Sequence, residues 1–191
     1  AAAFISRFLP HVADFCVDHG VNLQKFPEMV QVKKRNYFVV VSQFIERKKI
    51  DRTVMRFRDF WENGHRDYRL YLIGQGELES AYRDFIARHH LEEAVILCGQ
   101  MTHEQLLPFL AESKAMLIST VKDNNMVSIV ESIAAGTPVV TTSVPYNAAY
   151  IRKDGLGIVA DDWGADALEK ICAENDKYVR NCINYREKLS N

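Results

Sequence analysis

The chain has 191 residues, 48% hydrophobic and 26% charged, which suits one globular domain with an adequate core. Its 24 Lys and Arg against 25 Asp and Glu leave a net charge of −1, so no overall basic field exists to hold nucleic acid. No apolar stretch approaches a membrane span, and the opening Ala1-Ala-Ala-Phe-Ile-Ser-Arg7 lacks the basic-then-apolar order of a signal peptide, so a cytoplasmic protein is expected.

In chain order, apolar runs at 14–18 and Tyr37–Val41 read as strands. Residues 51–63 read as a helix, with Val54, Phe57 and Trp61 on one stripe and a stop at Gly64. A strand at Arg69–Ile73 precedes a second helix over 78–90, where Leu78, Tyr82, Phe85, Ile86 and His89 recur at helical spacing. After a strand at 94–98, Thr102-His-Glu-Gln105 has capping-box spacing ahead of Leu106, Leu107 and Leu110. Pro108 must distort that helix or keep it short. Strands at 115–119, 139–142 and 158–160 follow, with a short amphipathic helix between the first two, and 165–191 reads as one or two charged helices.

Several strands are nearly continuous in Val, Ile and Leu, as expected of parallel strands covered on both faces. Alternating β and α with short connections implies an α/β domain, a right-handed parallel sheet whose ligand sits at the carboxyl ends of the strands. The loops 42–49, 74–77, 99–101 and 120–127 would gather there. Cys16, Cys98, Cys172 and Cys182 are widely spaced without a Cys-x-x-Cys pair, and read as reduced thiols rather than disulfides or metal ligands. The six histidines form no ligand pattern.

The run from Asp123 to Val140 carries the most chemistry. It sets Asp123 and Glu131 eight residues apart, across a polar loop that enters a helix and then a Gly136 stop and a buried strand. A loop entering a helix presents unpaired N–H groups and the positive end of the helix dipole, which suits phosphate. The flanking carboxylates suit hydroxyls. Phosphate together with a polyhydroxyl points to a nucleotide sugar.

Several segments in order carry a resemblance. Val17-Asp-His-Gly-Val-Asn-Leu-Gln-Lys-Phe26, Val41-Ser-Gln-Phe-Ile-Glu-Arg-Lys-Lys49, Leu72-Ile-Gly-Gln-Gly76, Val95-Ile-Leu-Cys-Gly99 and the Asp123 to Val140 run resemble the C-terminal domain of retaining GT-B glycosyltransferases of the group 1 class, family 4. Val144-Pro-Tyr-Asn147 and Gly155-Leu-Gly157 agree with it. The resemblance covers about residues 14 to 172. It implies a Rossmann-like parallel sheet with helices on both faces, the C-terminal half of a GT-B fold, and a single donor-binding domain over 1–191 whose N-terminal acceptor domain is absent from this chain.

On that resemblance Lys48 contacts the donor diphosphate, and the family's Arg partner is Gln43 here. The backbone N–H groups of Met126, Val127 and Ser128 assist at the phosphate. Glu131 binds the ribose, a task a carboxylate performs by accepting two hydroxyl protons. Asp123 meets the donor sugar, with Asn124, Asn125 and Met126 in place of the Gly-Phe-Gly usual there, and Gly99, Gln100 and Met101 pack against the base. Local readings stand beside these. Residues 47–52 also read as a solvated basic turn, Ser128-Ile-Val-Glu131 also has capping-box spacing, and 99–101 also reads as an ordinary strand-end turn.

The implied activity is transfer of a sugar from a nucleoside diphosphate sugar, UDP- or GDP-linked, with retention of configuration and no cofactor or metal. No catalytic base is assignable, and the domain alone is expected to be inactive. Implied partners are the donor and a sugar or lipid-linked acceptor held by the missing domain, with peripheral inner-membrane association of the parent and a setting in bacterial surface polysaccharide synthesis. A non-catalytic nucleotide-sugar module and half of a sugar-nucleotide epimerase are the alternatives. Gly74-Gln-Gly76 has the start of a dinucleotide fingerprint, but Glu79 stands where its third glycine belongs.

Overall fold

Continuous runs of β-branched and aromatic residues become strands here because both faces of the sheet are covered. A computed structural model describes residues 32–189; the expected strand at 14–18 and the segment Val17 to Phe26 lie outside them. In chain order the elements are β1 (Tyr37–Val41), α1 (Ile50–Glu62), β2 (Arg69–Ile73), α2 (Glu79–Arg88), β3 (Val95–Gly99), α3 (His103–Glu112) and β4 (Ala115–Leu117). Then come α4 (Val127–Ala134), β5 (Val139–Thr141), α5 (Ala148–Asp154), β6 (Gly157–Val159), α6 (Ala165–Ala173) and α7 (Asn175–Tyr185). Short 3-10 turns occupy Glu46–Lys48 and Arg186–Leu189.

The six strands pair in parallel in the order β3-β2-β1-β4-β5-β6. This is the order of a doubly wound Rossmann-like sheet, and its direction of winding reverses between β1 and β4. A crevice therefore opens at the carboxyl ends of those two strands. β1 shows how both faces are filled. Phe38 and Val40 point into a core with α1, α2 and α6, through Phe57, Phe60, Tyr82 and Leu168. Tyr37 and Val39 point the other way, into a core with α3, α4, α5 and α7, through Leu110, Ile133, Ile151 and Cys182. The period of two along the strand assigns each residue to one layer.

Pro108 is the sixth residue of α3, and the helix runs through it to Glu112. Proline removes the bond to the carbonyl of Glu104, an exposed first-turn residue that water can serve. The Thr102 cap forms as its spacing implies: Thr102 Oγ1 accepts from the Gln105 amide at 3.3 Å, and Gln105 Oε1 accepts from the Thr102 amide at 3.0 Å. The capping box at Ser128-Ile-Val-Glu131 does not form. α4 starts at Val127 with Met126 as its cap, so Ser128 is already helical and Glu131 is the fifth helical residue. α5 was not expected from the sequence.

The turn after β2 is pressed onto the loop after β1. Gly74 has φ 141°, and a Cβ there would lie 1.9 Å from the Ser42 carbonyl oxygen; at Gly76 a Cβ would lie 2.5 Å from that of Phe44. These glycines serve close packing of two loops, which separates them from a pyrophosphate fingerprint. Lys49, at the entry to α1, adopts φ 49° and ψ 47°, a left-handed conformation uncommon outside glycine.

Candidate nucleotide-sugar site

Two loops meet at the crevice between β1 and β4. The Val121 amide donates to the Arg47 carbonyl at 3.0 Å, tying the loop after β4 to the turn after β1. On this frame Lys48 Nζ donates to Asp123 Oδ2 at 2.5 Å, and the Thr120 hydroxyl lies 3.3 Å from the same oxygen. Both charged side chains are largely enclosed, at 10% and 13% exposure. An ion pair this sheltered has little water to weaken it, and removing one partner leaves the other charge exposed to the desolvation cost. Lys48 and Asp123 come from motifs 75 residues apart, and the fold joins them.

Beside them a cleft of about 520 Å³ lies between the strand-end loops, lined among others by Ser42, Gln43, Gly74, Gln75, Gln100 and Met101. Gln43 and the 99–101 loop thus share one wall system. The Ser42 hydroxyl is enclosed and has no hydrogen-bond partner among the described residues. A second hollow of about 410 Å³ opens around Tyr37, Arg69 and Phe109, at the opposite end of the strands, away from every residue expected to bind ligand.

α4 begins at the crevice. Asn147, fully buried, accepts the Met126 amide at 2.8 Å and donates to the Tyr150 hydroxyl at 2.7 Å. The Met126 amide is therefore engaged, and the Val127 and Ser128 amides are the first-turn donors without an intrahelical carbonyl. Val127 is 46% exposed. Asn124 is joined to the next loop through its carbonyl, which accepts the Tyr146 amide at 3.0 Å. The sequence marks Asn147 only within Val144-Pro-Tyr-Asn147, and nothing local gives it this role, because its partner lies 21 residues earlier.

Glu131 projects from α4 toward α3, where its Oε1 lies 3.4 Å from His103 Nδ1. Burial pushes this carboxyl above the usual carboxylate range, and nearby His103 acts in the opposite direction. Among the described residues no three His, Cys, Asp or Glu side chains gather as for a metal ion, and no helix is long and apolar enough to cross a membrane. Cys98, Cys172 and Cys182 are free thiols.

Comparison with known proteins fixes the family, because the model of "glycosyl transferases group 1" matches residues 23–188. The chain belongs to that family. The amylovoran biosynthesis glycosyltransferase AmsK of Erwinia amylovora is 27% identical over 184 residues, covering 87% of this chain and 45% of its own length. An uncharacterised glycosyltransferase of Methanocaldococcus jannaschii is 24% identical over 136 residues, covering 71% of this chain and 34% of its own. This group 1 chain thus spans less than half the length of the curated relatives it matches.

Solved structures agree on the fold. TarM of S. aureus, crystallised with fondaparinux, α-GlcNAc-glycerol and UDP, superposes with a TM-score of 0.80 at 17% identity, over 99% of this chain and 39% of that one. Sucrose-phosphate synthase of Thermosynechococcus elongatus superposes with a TM-score of 0.78 at 17% identity, over 98% of this chain and 52% of that one. At such identities the likeness speaks for the Rossmann-like architecture.

Proposed function

We propose that this chain is the donor-binding half of a GT-B glycosyltransferase that moves a sugar from a nucleoside diphosphate sugar to an acceptor with retention of configuration. The observation that carries the reading is the meeting of Lys48 and Asp123 at the sheet's point of reversal, beside the cleft and the start of α4. Lys48 and the Val127 and Ser128 amides neutralise the diphosphate as it departs, which lowers the barrier to glycosyl cleavage. Glu131 accepts from the ribose hydroxyls, the 99–101 loop packs on the base, and Asp123 with Asn124 and Asn125 meets the sugar. On donor arrival the phosphate takes Asp123's place at Lys48, and the freed carboxylate turns to the sugar hydroxyls.

TarM holds UDP in its crystal, which favours a nucleoside diphosphate donor; the reading takes that donor as UDP- or GDP-linked and calls on no metal. The amylovoran relative, together with the structural likeness to WaaG, named for lipopolysaccharide biosynthesis, favours a cytoplasmic role in bacterial surface polysaccharide assembly. The acceptor site belongs to the remainder of a longer protein, peripherally bound to the inner membrane. One observation favours a binding module without turnover: Gln43 leaves the phosphate clamp one charge short, and Lys48 is already paired.

Calorimetric titration with UDP, GDP, ADP and their sugar conjugates tests the reading, with Glu131→Gln beside the wild type. Selective binding of one nucleotide, weakened about tenfold or more in the variant, is the expected result. Equal binding by both proteins, with only the melting temperature lowered in Glu131→Gln, would remove Glu131 from the ribose.

A further inference from the structure

His103 is the first residue of α3 and Glu131 the fifth of α4, and both helices have fixed starts. The Thr102–Gln105 box holds the first, and Asn147 holds the backbone at Met126 before the second. The 3.4 Å from His103 Nδ1 to Glu131 Oε1 is long for a tight hydrogen bond and within ion-pair range. His103 also follows directly on the loop whose Gln100 and Met101 line the cleft. The imidazole thus belongs to the helix that follows a cleft-lining loop and meets the carboxylate of α4.

Glu131 is the only charged residue of α4. Other charged groups on elements packed against α4 are Glu104 and Glu112 of α3, Asp176, Lys177 and Arg180 of α7, and Arg186, Glu187 and Lys188 of the turn that follows it. Among the described residues His103 is the one recorded within ion-pair distance of the Glu131 carboxylate.

We propose that His103 is a positioning residue of the ribose subsite, holding the Glu131 carboxylate ionised and oriented toward the cis-diol of a bound nucleotide. This rests on the assignment of Glu131 to ribose made above. A carboxylate 19% exposed has lost much of its hydration and takes up a proton more readily than one in water. Protonation would turn one oxygen into a donor and spoil acceptance from two hydroxyls. A positive charge on the imidazole 3.4 Å away favours the ionised carboxylate and so acts against the effect of burial. With about four acceptor positions, the carboxylate can meet His103 and still serve two hydroxyls.

The test combines carboxyl ¹³C NMR titration of Glu131 with calorimetry against UDP-glucose and GDP-mannose, whose diphosphates do not titrate near neutral pH. In His103→Gln the Glu131 midpoint should rise by about half a pH unit or more. The acid loss of affinity should move with it, while affinity at pH 8 stays within about twofold. His103→Lys, which keeps the positive charge, should return both curves toward the wild type. A merely structural histidine would lower affinity or melting temperature alike at every pH, with the midpoint unmoved, and that result would overturn the proposal. So would a shifted midpoint that affinity ignores. If Glu131→Gln binds as well as the wild type, or the wild type binds neither probe, the ribose assignment itself falls and this inference with it. Loss in Glu131→Gln beside unchanged curves in His103→Gln sinks this inference alone.

Discussion

Lys48 and Asp123 share one short contact, so a change at either acts on both. Lys48→Ala should weaken a nucleoside diphosphate by about tenfold or more, as expected for a lost charge-assisted bond, and the nucleoside by less than about twofold. Equal losses for both ligands in calorimetry would place Lys48 outside the phosphate site. A different lysine bears on stability. Lys34 Nζ donates at 2.7 Å to the Ala111 carbonyl and at 2.7 Å to Thr137 Oγ1, and burial lowers its pKa from 10.5 to about 7. Between those values the unfolded chain holds a proton that the folded chain has released, so this residue makes stability rise with pH from about 7 to 10.5. The slope reaches at most about 1.4 kcal/mol per pH unit. Urea unfolding of Lys34→Met between pH 7 and 9 should show a flatter curve than the wild type, and parallel curves would refute the assignment.

At the scale of elements, the strand-end turns are held by backbone approach more than by side chains. Gly74→Ala would force a Cβ against the Ser42 carbonyl at a φ that alanine avoids, with an expected cost of about 2–4 kcal/mol in chemical denaturation. A cost below about 1 kcal/mol would mean that the loop yields freely. At Lys49, the left-handed conformation should make Lys49→Val lose about 1–2 kcal/mol, whereas Lys49→Gly should be neutral or stabilising. β1 and β2 were legible residue for residue because their apolar runs end sharply at Ser42 and Gly74. α5 was not legible, since its seven residues before Gly155 are too few to show a helical period, and only the burial of Ala148 and Ile151 shows a packed face. The Ser128-Ile-Val-Glu131 spacing misled for a related reason: a capping pattern is local, while the start of α4 is set by Asn147 from beyond the next strand.

For the whole molecule, the parallel order and the two covered faces followed from alternation and composition, and the gathering of loops at the strand ends followed from topology. The contacts within the site did not. Neither the Lys48–Asp123 pair nor the His103–Glu131 approach has a sequence period, because each joins two loops or helices far apart in the chain. On the proposed reading, this chain binds donor without transferring sugar, and transfer appears when the remainder of the longer protein is present. Product analysis of the longer protein checks this; donor binding without turnover there would favour the non-catalytic module.

Lys48 already has an anion before any ligand arrives. On the reading above, an incoming phosphate exchanges with a carboxylate instead of filling a vacant cationic hole, and the number of paired charges is the same before and after. Sodium chloride then has little leverage on affinity, whereas recognition built on exposed, unpaired lysines would fade steeply as counterions accumulate. Substrate selection at this crevice becomes a contest between two anions for one ammonium, decided by geometry and hydration, and comparatively indifferent to the ionic strength around it.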